Sequence, residues 1–121
     1  RYTCYLGPDT RLPMMYMPDA IKAIIDLAES DLTTLQHHAD FNVNSMSFTP
    51  SDLADAIRSR MPEFEIDYEI DPLRQAIADS WPDSLDDSAA RHDWAWEPIY
   101  DIDLVVDDML ENLGKKLAAE A

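Results

Sequence analysis

Residues 74–96, RQAIADSWPDSLDDSAARHDWAW, hold all three tryptophans of the chain together with five aspartates. Aromatic surface of this size has to be buried somewhere, while the aspartates keep part of the stretch in water. Trp94 and Trp96 bracket the end of a predicted short helix, so we expect both side chains to be structural. Trp81 lies instead in the irregular segment 79–82, where core packing alone does not explain a large rigid side chain. It is therefore our candidate site residue.

The composition of the whole chain predicts one acidic globular domain. The chain has 121 residues, 46% of them hydrophobic, and its 25 acidic against 9 basic residues give a net charge of −16. Such a surface repels phosphate backbones and anionic lipids, so we expect neither nucleic-acid nor membrane binding. The single cysteine, Cys4, allows no internal disulfide and indicates a reducing compartment such as the cytoplasm.

The spacing of apolar residues predicts a mostly helical domain with a few short strands. Strands are expected at Tyr2–Leu6, Leu12–Met17, Phe41–Asn44 and Phe64–Ile70, the second of them buried on both faces. Helices are expected at 18–29, 50–61, 86–94 and 101–117, and residues 73–81 are expected to hold at most one irregular helical turn. Strands so few and scattered do not predict a sheet that is stable alone.

The two glycines of the chain, Gly7 and Gly114, argue against a nucleotide-binding loop. Neither a G-x-G-x-x-G turn nor a P-loop can be formed from them, so the chain by itself predicts no dinucleotide or phosphate cradle. No sequence here resembles a nucleophile elbow or a catalytic triad. Cys4 has no basic neighbour in the sequence to activate its thiol, and we expect it to be a small strand residue.

Three further groups of side chains have a functional and a structural interpretation. His37-His38 with Asp40 and His92 could be drawn as a metal site, but neighbouring histidines in a loop rarely point at one ion, so we expect no metal. The methionines Met14, Met15 and Met17 could form an adaptable binding surface, although core filling is the better explanation. The carboxylate pairs Asp86-Asp87 and Asp107-Asp108 suit helix capping and solvation rather than acid–base catalysis.

Two segments resemble the extended short-chain dehydrogenase/reductases. The stretch 86–98, DDSAARHDWAWEP, is similar to their D-x-S-K-A…L-G-W-x-P helix near the C-terminus. The stretch 15–20, MYMPDA, is similar to their Y-[IV]-x-V-x-D-[VL]-A segment. The chain departs from the pattern at two points: Trp94-Ala95 stands where Leu-Gly is usual, and Ala89 stands where Lys is usual.

Three blocks in order, LPMMYMPDAIKA, NVNSMSFTPSDLA and RQAIADSWPDSLDDSAARHDW, resemble the C-terminal third of the short-chain-type NAD-dependent L-threonine 3-dehydrogenases. The resemblance implies an α/β fold in which residues 1–121 are the C-terminal substrate-binding lobe, with the Rossmann NAD-binding core missing from the chain. The opening RYTCYL begins without Met and already alternates like a strand, which also leads us to expect a fragment.

The resemblance further implies oxidation of L-threonine with NAD to 2-amino-3-ketobutyrate, by a homodimeric enzyme whose catalytic and NAD-binding residues lie upstream. No catalytic residue is therefore expected in this chain, which alone would be inactive. Trp81 resembles the family's tryptophan that closes over the bound amino acid, and Asp79 and Ser80 are weaker candidates for holding it. Arg74 is expected to form a surface ion pair or to neutralise Asp79.

Two other functions stay open at this point. The first is the substrate lobe of a nucleotide-sugar epimerase or dehydratase, which would usually have an Arg where this chain has Leu12-Pro13. The acidic surface also disfavours a diphosphate ligand. The second is an acidic interaction module without catalytic activity, which would unfold cooperatively by itself and expose no apolar patch.

Overall fold

The computed structural model describes residues 1–37 and 40–120, and its class is α/β. The elements within these residues are β1 Tyr2–Cys4, β2 Leu12–Met14, α1 Met17–Glu29, β3 Met46–Phe48, α2 Pro50–Arg58, β4 Ile66–Tyr68, α3 Pro72–Asp79, α4 Ser88–Trp94 and α5 Ile102–Glu120. The expected α/β class, mostly helical with short strands, is confirmed.

The four described strands pair into two separate two-stranded sheets. β1 runs parallel to β4, with Tyr2 opposite Ile66, and β2 runs antiparallel to β3, with Leu12 opposite Phe48. Each strand has only three residues, so bonds beyond the ladders add support: the Asp71 N–H, for example, donates to the Tyr5 carbonyl at 2.9 Å. Whether sheets this small are stable alone stays a prediction, and within the described residues they form two separate short ladders.

Local capping signals explain where the helices begin. Thr49 and Asp52 form a reciprocal capping box at the start of α2, as the sequence predicts. At the predicted start of α4, the Asp86 carboxylate accepts a bond from the Ser88 N–H at 3.0 Å. At α5, the Asp101 carboxylate accepts from the Leu104 N–H at 2.9 Å.

Residues 73–81 differ from the prediction, because α3 is a regular helix of eight residues. The Asp71 carboxylate accepts hydrogen bonds from the N–H groups of Leu73 and Arg74, and Pro72 occupies the first turn. An acidic N-cap followed by proline is a strong helix start. This helix start, together with the helix-favouring residues Ala76 and Ala78, explains why a regular helix forms although the segment 79–82 that follows is irregular.

The small core is built around Trp96, which is 1% exposed and packs with Ala23 and Ala90. Met15, Phe41, Val43 and Trp94 contact this cluster. The Trp94 and Trp96 rings lie 5.7 Å apart between centroids, and the Trp96 indole N–H donates to the Asn44 carbonyl at 3.1 Å. The structural role predicted for Trp94 and Trp96 is confirmed.

Two strand predictions are wrong. Phe41–Asn44 forms no strand, since these residues have no ladder partner among the described residues, and β3 begins only at Met46. Leu12–Met17 gives a strand of three residues followed directly by α1, and it is not buried on both faces. Met17 is 65% exposed and Met14 is also exposed, so core filling describes Met15 alone.

The apolar side of α1 faces solvent. Ile24 is 71% exposed, and Met17, Ile21 and Ile25 are exposed beside it. An amphipathic helix normally buries such an apolar face against another element.

The mean hydropathy of the chain is −0.33. Among the described residues, no helix has the length and apolar character that a membrane span requires.

A charged cluster joins α2 to α5. The Arg60 guanidinium donates to both carboxylate oxygens of Asp107, at 2.7 and 3.0 Å, and to Asp103 at 2.6 Å. Asp108 accepts a bond from the Tyr16 hydroxyl at 2.6 Å. The expectation that Asp107-Asp108 would be merely solvated is therefore wrong, because both carboxylates hold neighbouring elements together.

Candidate functional site

Trp81 lies immediately after α3 and presents an exposed indole. The Ser80 hydroxyl donates to the Ile77 carbonyl at 2.6 Å, and the Trp81 N–H donates to the Ala78 carbonyl at 3.0 Å. These bonds end the helix and fix the backbone of Trp81. Its side chain is 55% exposed, which is unusual for a tryptophan in so small a chain.

Trp81 separates two depressions of the surface, which together we call the Trp81 cleft. One has a volume of about 340 Å³ and is polar; it is lined by Asp9, Thr10, Arg11, Ala78, Asp79, Trp81 and Asp83. The other has a volume of about 300 Å³ and is more apolar; it is lined by Tyr5, Leu6, Leu12, Arg74, Ile77, Ala78 and Trp81. The indole thus has charged groups on one side and hydrocarbon on the other.

The polar side of the cleft combines three carboxylates with one guanidinium. Arg11 donates to the Ser47 carbonyl at 2.7 Å and to the Asp52 carboxylate at 3.1 Å. The pKa of Asp52 is lowered chiefly by its hydrogen bond with the Thr49 N–H and next by the Thr49 hydroxyl. The Arg11 guanidinium lowers it further. Asp52 therefore stays ionised and keeps Arg11 in place at the edge of the cleft.

The weaker candidates Asp79 and Ser80 support α3 and its end. Asp79 accepts a bond at 2.6 Å from the side-chain amide of Gln75, one helical turn earlier. Arg74 does not reach Asp79: its guanidinium lies 4.4 Å from the centre of the Tyr5 ring, and its Nε lies 3.7 Å from Asp71. The predicted surface ion pair of Arg74 is present, and the alternative pairing with Asp79 is wrong.

A further cavity among the described residues lies elsewhere and is almost purely apolar. It has a volume of about 450 Å³ and lies between the two sheets and α2; among its lining residues are Tyr2, Cys4, Phe48, Leu53, Ile57 and Ile66. Cys4 is buried. This cavity has room for hydrocarbon, but it lacks the convergent polar groups that orient a small polar substrate.

The histidines considered for a metal site behave differently from one another. His37 Nδ1 lies 3.7 Å from Asp40, whereas His92 Nδ1 lies 2.9 Å from Asp93. His38 falls outside the described residues. Among the residues that the structure describes, no three His, Cys, Asp or Glu side chains are grouped so that they could hold a metal ion.

Two important polar residues escaped the sequence analysis. Asp19 is 0% exposed and accepts bonds from the N–H groups of Ile99 and Tyr100, at 2.9 and 3.0 Å. Gln75 joins α3 to the turn at Gly7 through a bond of 2.8 Å. The spacing of four residues between Gln75 and Asp79 is ordinary in a helix and does not single out Gln75. Asp19 stands within the segment MYMPDA, but the partners that give it a role lie about 80 residues away.

No protein-family model matches the chain. It is 44% identical over 116 residues to a mitochondrial L-threonine 3-dehydrogenase of Bos taurus, a match that covers 96% of this chain and 31% of the relative. It is 46% identical over 116 residues to an uncharacterized epimerase/dehydratase of Staphylococcus haemolyticus, covering 36% of that protein. The chain thus spans about a third of the length of the curated relatives that it matches.

Solved structures give the same result. A GalE-like L-threonine dehydrogenase from Cupriavidus necator is 54% identical, with a TM-score of 0.88 over 93% of this chain and 40% of its own. An L-threonine dehydrogenase from Clostridium difficile is 47% identical, with a TM-score of 0.92 over 95% of this chain and 36% of its own. The predicted resemblance to threonine dehydrogenases is confirmed, as is the expectation that it concerns only part of such an enzyme.

Proposed function

We propose that residues 1–121 form the substrate-side lobe of an NAD-dependent L-threonine 3-dehydrogenase of the epimerase/dehydratase type. The observation that carries this proposal is the exposed Trp81 beside a mixed polar and apolar cleft, in a chain 54% identical to part of a threonine dehydrogenase. The reaction converts L-threonine and NAD to 2-amino-3-ketobutyrate and NADH.

In this proposal Trp81 is the lid over the bound amino acid. Threonine is small and zwitterionic, so a rigid indole that covers it would exclude water during oxidation of the β-hydroxyl. Both charges of threonine have complementary groups at the polar side of the cleft, in Arg11 and in the carboxylates. Asp79 and Ser80 hold the end of α3 and thereby the backbone of Trp81.

The residues of this chain do not fit NAD. Gly7 packs against side chains, with Thr10 Oγ1 only 3.3 Å from where a Cβ would stand, and Gly114 lies within α5. Neither glycine opens a phosphate-binding turn at a helix N-terminus. We therefore assign NAD binding to another part of the enzyme, where the resemblance also implies the catalytic residues. Residues 1–121 alone are expected to be inactive.

A chimaera tests the proposal. Residues 1–121 replace the matching part of the Cupriavidus necator enzyme, 40% of that chain, and NADH formation is followed by its absorbance. We expect threonine-dependent NADH formation, with the unaltered Cupriavidus enzyme as the control. A chimaera that folds and binds NAD but does not oxidise threonine would contradict the proposal.

A nucleotide-sugar epimerase or dehydratase is the second candidate. Its support is the 46% identity to the uncharacterized epimerase/dehydratase of Staphylococcus haemolyticus. The same chimaera distinguishes the two, because tight binding of a nucleotide sugar without threonine turnover would favour this candidate. An independent acidic interaction module is disfavoured, since the exposed isoleucines of α1 form an apolar patch that needs a cover.

A further inference from the structure

α3 has few apolar contacts that could fix its position. Leu73 is 72% exposed, Ile77 is exposed, and only Ala78 is buried among its residues. At its N-terminal end, the Asp71 N–H donates to the Tyr5 carbonyl and Arg74 stacks on the Tyr5 ring. The C-terminal end of α3, which Trp81 follows, must therefore be held in position by other contacts.

Gln75 provides that support through all of the polar atoms of its side-chain amide. Its Oε1 accepts a bond from the Gly7 N–H at 2.8 Å, and its Nε2 donates to Thr10 Oγ1 at 2.9 Å and to Asp79 Oδ1 at 2.6 Å. If the Gln75 amide were rotated by 180°, its NH₂ group would face the Gly7 N–H, and two donors cannot bond to each other. The three hydrogen bonds together therefore define one orientation of the amide. Gln75 is part-buried, which makes these bonds harder for water to replace.

The partners of Gln75 lie on the two sides of the Trp81 cleft. Thr10 belongs to the wall formed by residues 9–11, and Asp79 lies two residues before Trp81 on the opposite wall. Trp81 follows Gln75 by six positions, and the helical part of this path, Gln75–Asp79, is about 6 Å long. A small rotation of α3 at Gln75 is therefore enlarged at the indole.

We propose that Gln75 is the positioning residue that sets Trp81 at a fixed distance from the Gly7–Arg11 wall and so determines how well threonine is held. This inference rests on the proposed function. Gln75 does not touch the reacting atoms; it acts through Trp81. Its loss therefore weakens the binding of threonine while leaving the binding of NAD unchanged.

The first test uses the 121-residue chain and needs no activity. The indole N–H resonances of the three tryptophans are followed by NMR in Gln75→Leu, and the Trp81 signal is assigned with Trp81→Phe. We expect Gln75→Leu to shift or broaden the Trp81 signal and to leave those of Trp94 and Trp96 in place. The matched control is Gln36→Leu, the other glutamine of the chain, whose side chain lies away from the cleft. An unchanged Trp81 signal in Gln75→Leu would overturn the proposal.

The second test measures kinetics in the chimaera. The unsubstituted chimaera is assayed first, so that an absence of threonine oxidation there counts against the proposed function and not against Gln75. In Gln75→Leu we expect the KM for threonine to rise about tenfold, with the KM for NAD within about twofold of its original value. If Trp81→Ala is already present, Gln75→Leu should add less than about a twofold change, because the two residues act as one unit.

Two results would show that Gln75 supports only the fold: an unchanged KM for threonine, or a full further loss in the Trp81→Ala background. If Gln75→Leu prevents folding, Thr10→Val replaces it in both tests, because it removes one of the three bonds and preserves the shape of the side chain. A smaller shift in the same direction is then expected, and no shift would overturn the proposal.

Discussion

Trp81 contributes to the proposed catalysis far more than to stability, because over half of its surface is in water. We expect Trp81→Ala in the chimaera to lower kcat/KM for threonine by on the order of 10²-fold, as expected when substrate positioning is lost. Its melting temperature should barely change. Trp94→Ala is the matched control, with the opposite expectation: lower stability and nearly unchanged KM. An unchanged kcat/KM in Trp81→Ala would contradict the proposed role of Trp81 as a lid over the substrate.

Asp19 is the residue whose loss should most damage the fold. Asp19→Ala removes a fully buried carboxylate and leaves the N–H groups of Ile99 and Tyr100 without their acceptor, and we expect the free energy of unfolding to fall by about 3 kcal/mol. Urea denaturation of the 121-residue chain measures this. Asp40→Ala, which removes a carboxylate that is 78% exposed, should change the free energy of unfolding by less than about 0.5 kcal/mol. Equal effects of the two substitutions would refute the assigned role of Asp19.

For single residues, the sequence shows which side chains are unusual in their sequence surroundings, but it does not show which residues they contact. Trp81 could be singled out because a large aromatic residue lies in a polar, irregular segment. Gln75 and Asp19 could not, because their partners lie 68 and 80 residues away in the chain. A glutamine or a first-turn aspartate is ordinary in composition, and its importance comes only from long-range contacts.

The ion pair that links the end of α2 to α5 should make the free energy of unfolding depend on pH. The Arg60 guanidinium lowers the pKa of Asp107 in the folded chain, chiefly through its hydrogen bonds. The stabilisation is therefore complete above the unfolded pKa of about 3.9 and is lost as the pH falls through the lower folded value. An NMR titration should find the pKa of Asp107 below its ordinary value in the original chain and back at that value in Arg60→Gln.

Arg58→Gln is the matched control for this titration. Arg58 pairs with Asp55 on its own helix at 2.8 Å and has no bond to α5, so the Asp107 titration should not move. In denaturation experiments, the difference in stability between the original chain and Arg60→Gln should narrow below about pH 4. A difference that stays constant with pH would show that the contact is not ionic in character.

Helices with local cap signals were mostly predicted, although α3 was missed despite its Asp71-Pro72 start, and the strands were predicted less well because each needs a distant partner. α2 and α5 begin where their caps indicate, because a cap involves neighbouring residues. Phe41–Asn44 alternates like a strand, but this alternation only places Phe41 and Val43 on the core. Within the part of the chain that the structure describes, no second strand pairs with it. β3 forms instead, where Met46 meets Met14. Strand pairing is long-range information that the pattern does not contain.

Many large hydrophobic side chains are exposed among the described residues, and four of them lie together on α1. On this basis we expect the 121-residue chain to self-associate with rising concentration, through the α1 face formed by Met17, Ile21, Ile24 and Ile25. Ile21→Glu with Ile24→Glu should restore a monomer, as measured by light scattering coupled to size-exclusion chromatography.

The control for this experiment places the same two charges on α5, as Leu113→Glu with Leu117→Glu. Both leucines are exposed, so the substitutions add equal repulsion without touching α1. If the α5 pair restores a monomer equally well, the added charge and not the α1 face explains the change. A monomer at every concentration in the original chain would contradict the expectation directly.

The parallel pairing of β1 with β4 also has a consequence for how the chain is made. Tyr2 pairs with Ile66, so this pairing cannot form until the ribosome has added the residues in between. At about 5–20 residues per second this takes several seconds. During that interval the thiol of Cys4, later buried between the sheets and α2, is open to oxidants. We therefore expect the thiol of Cys4 to react with added reagents more readily before the fold closes over it than afterwards.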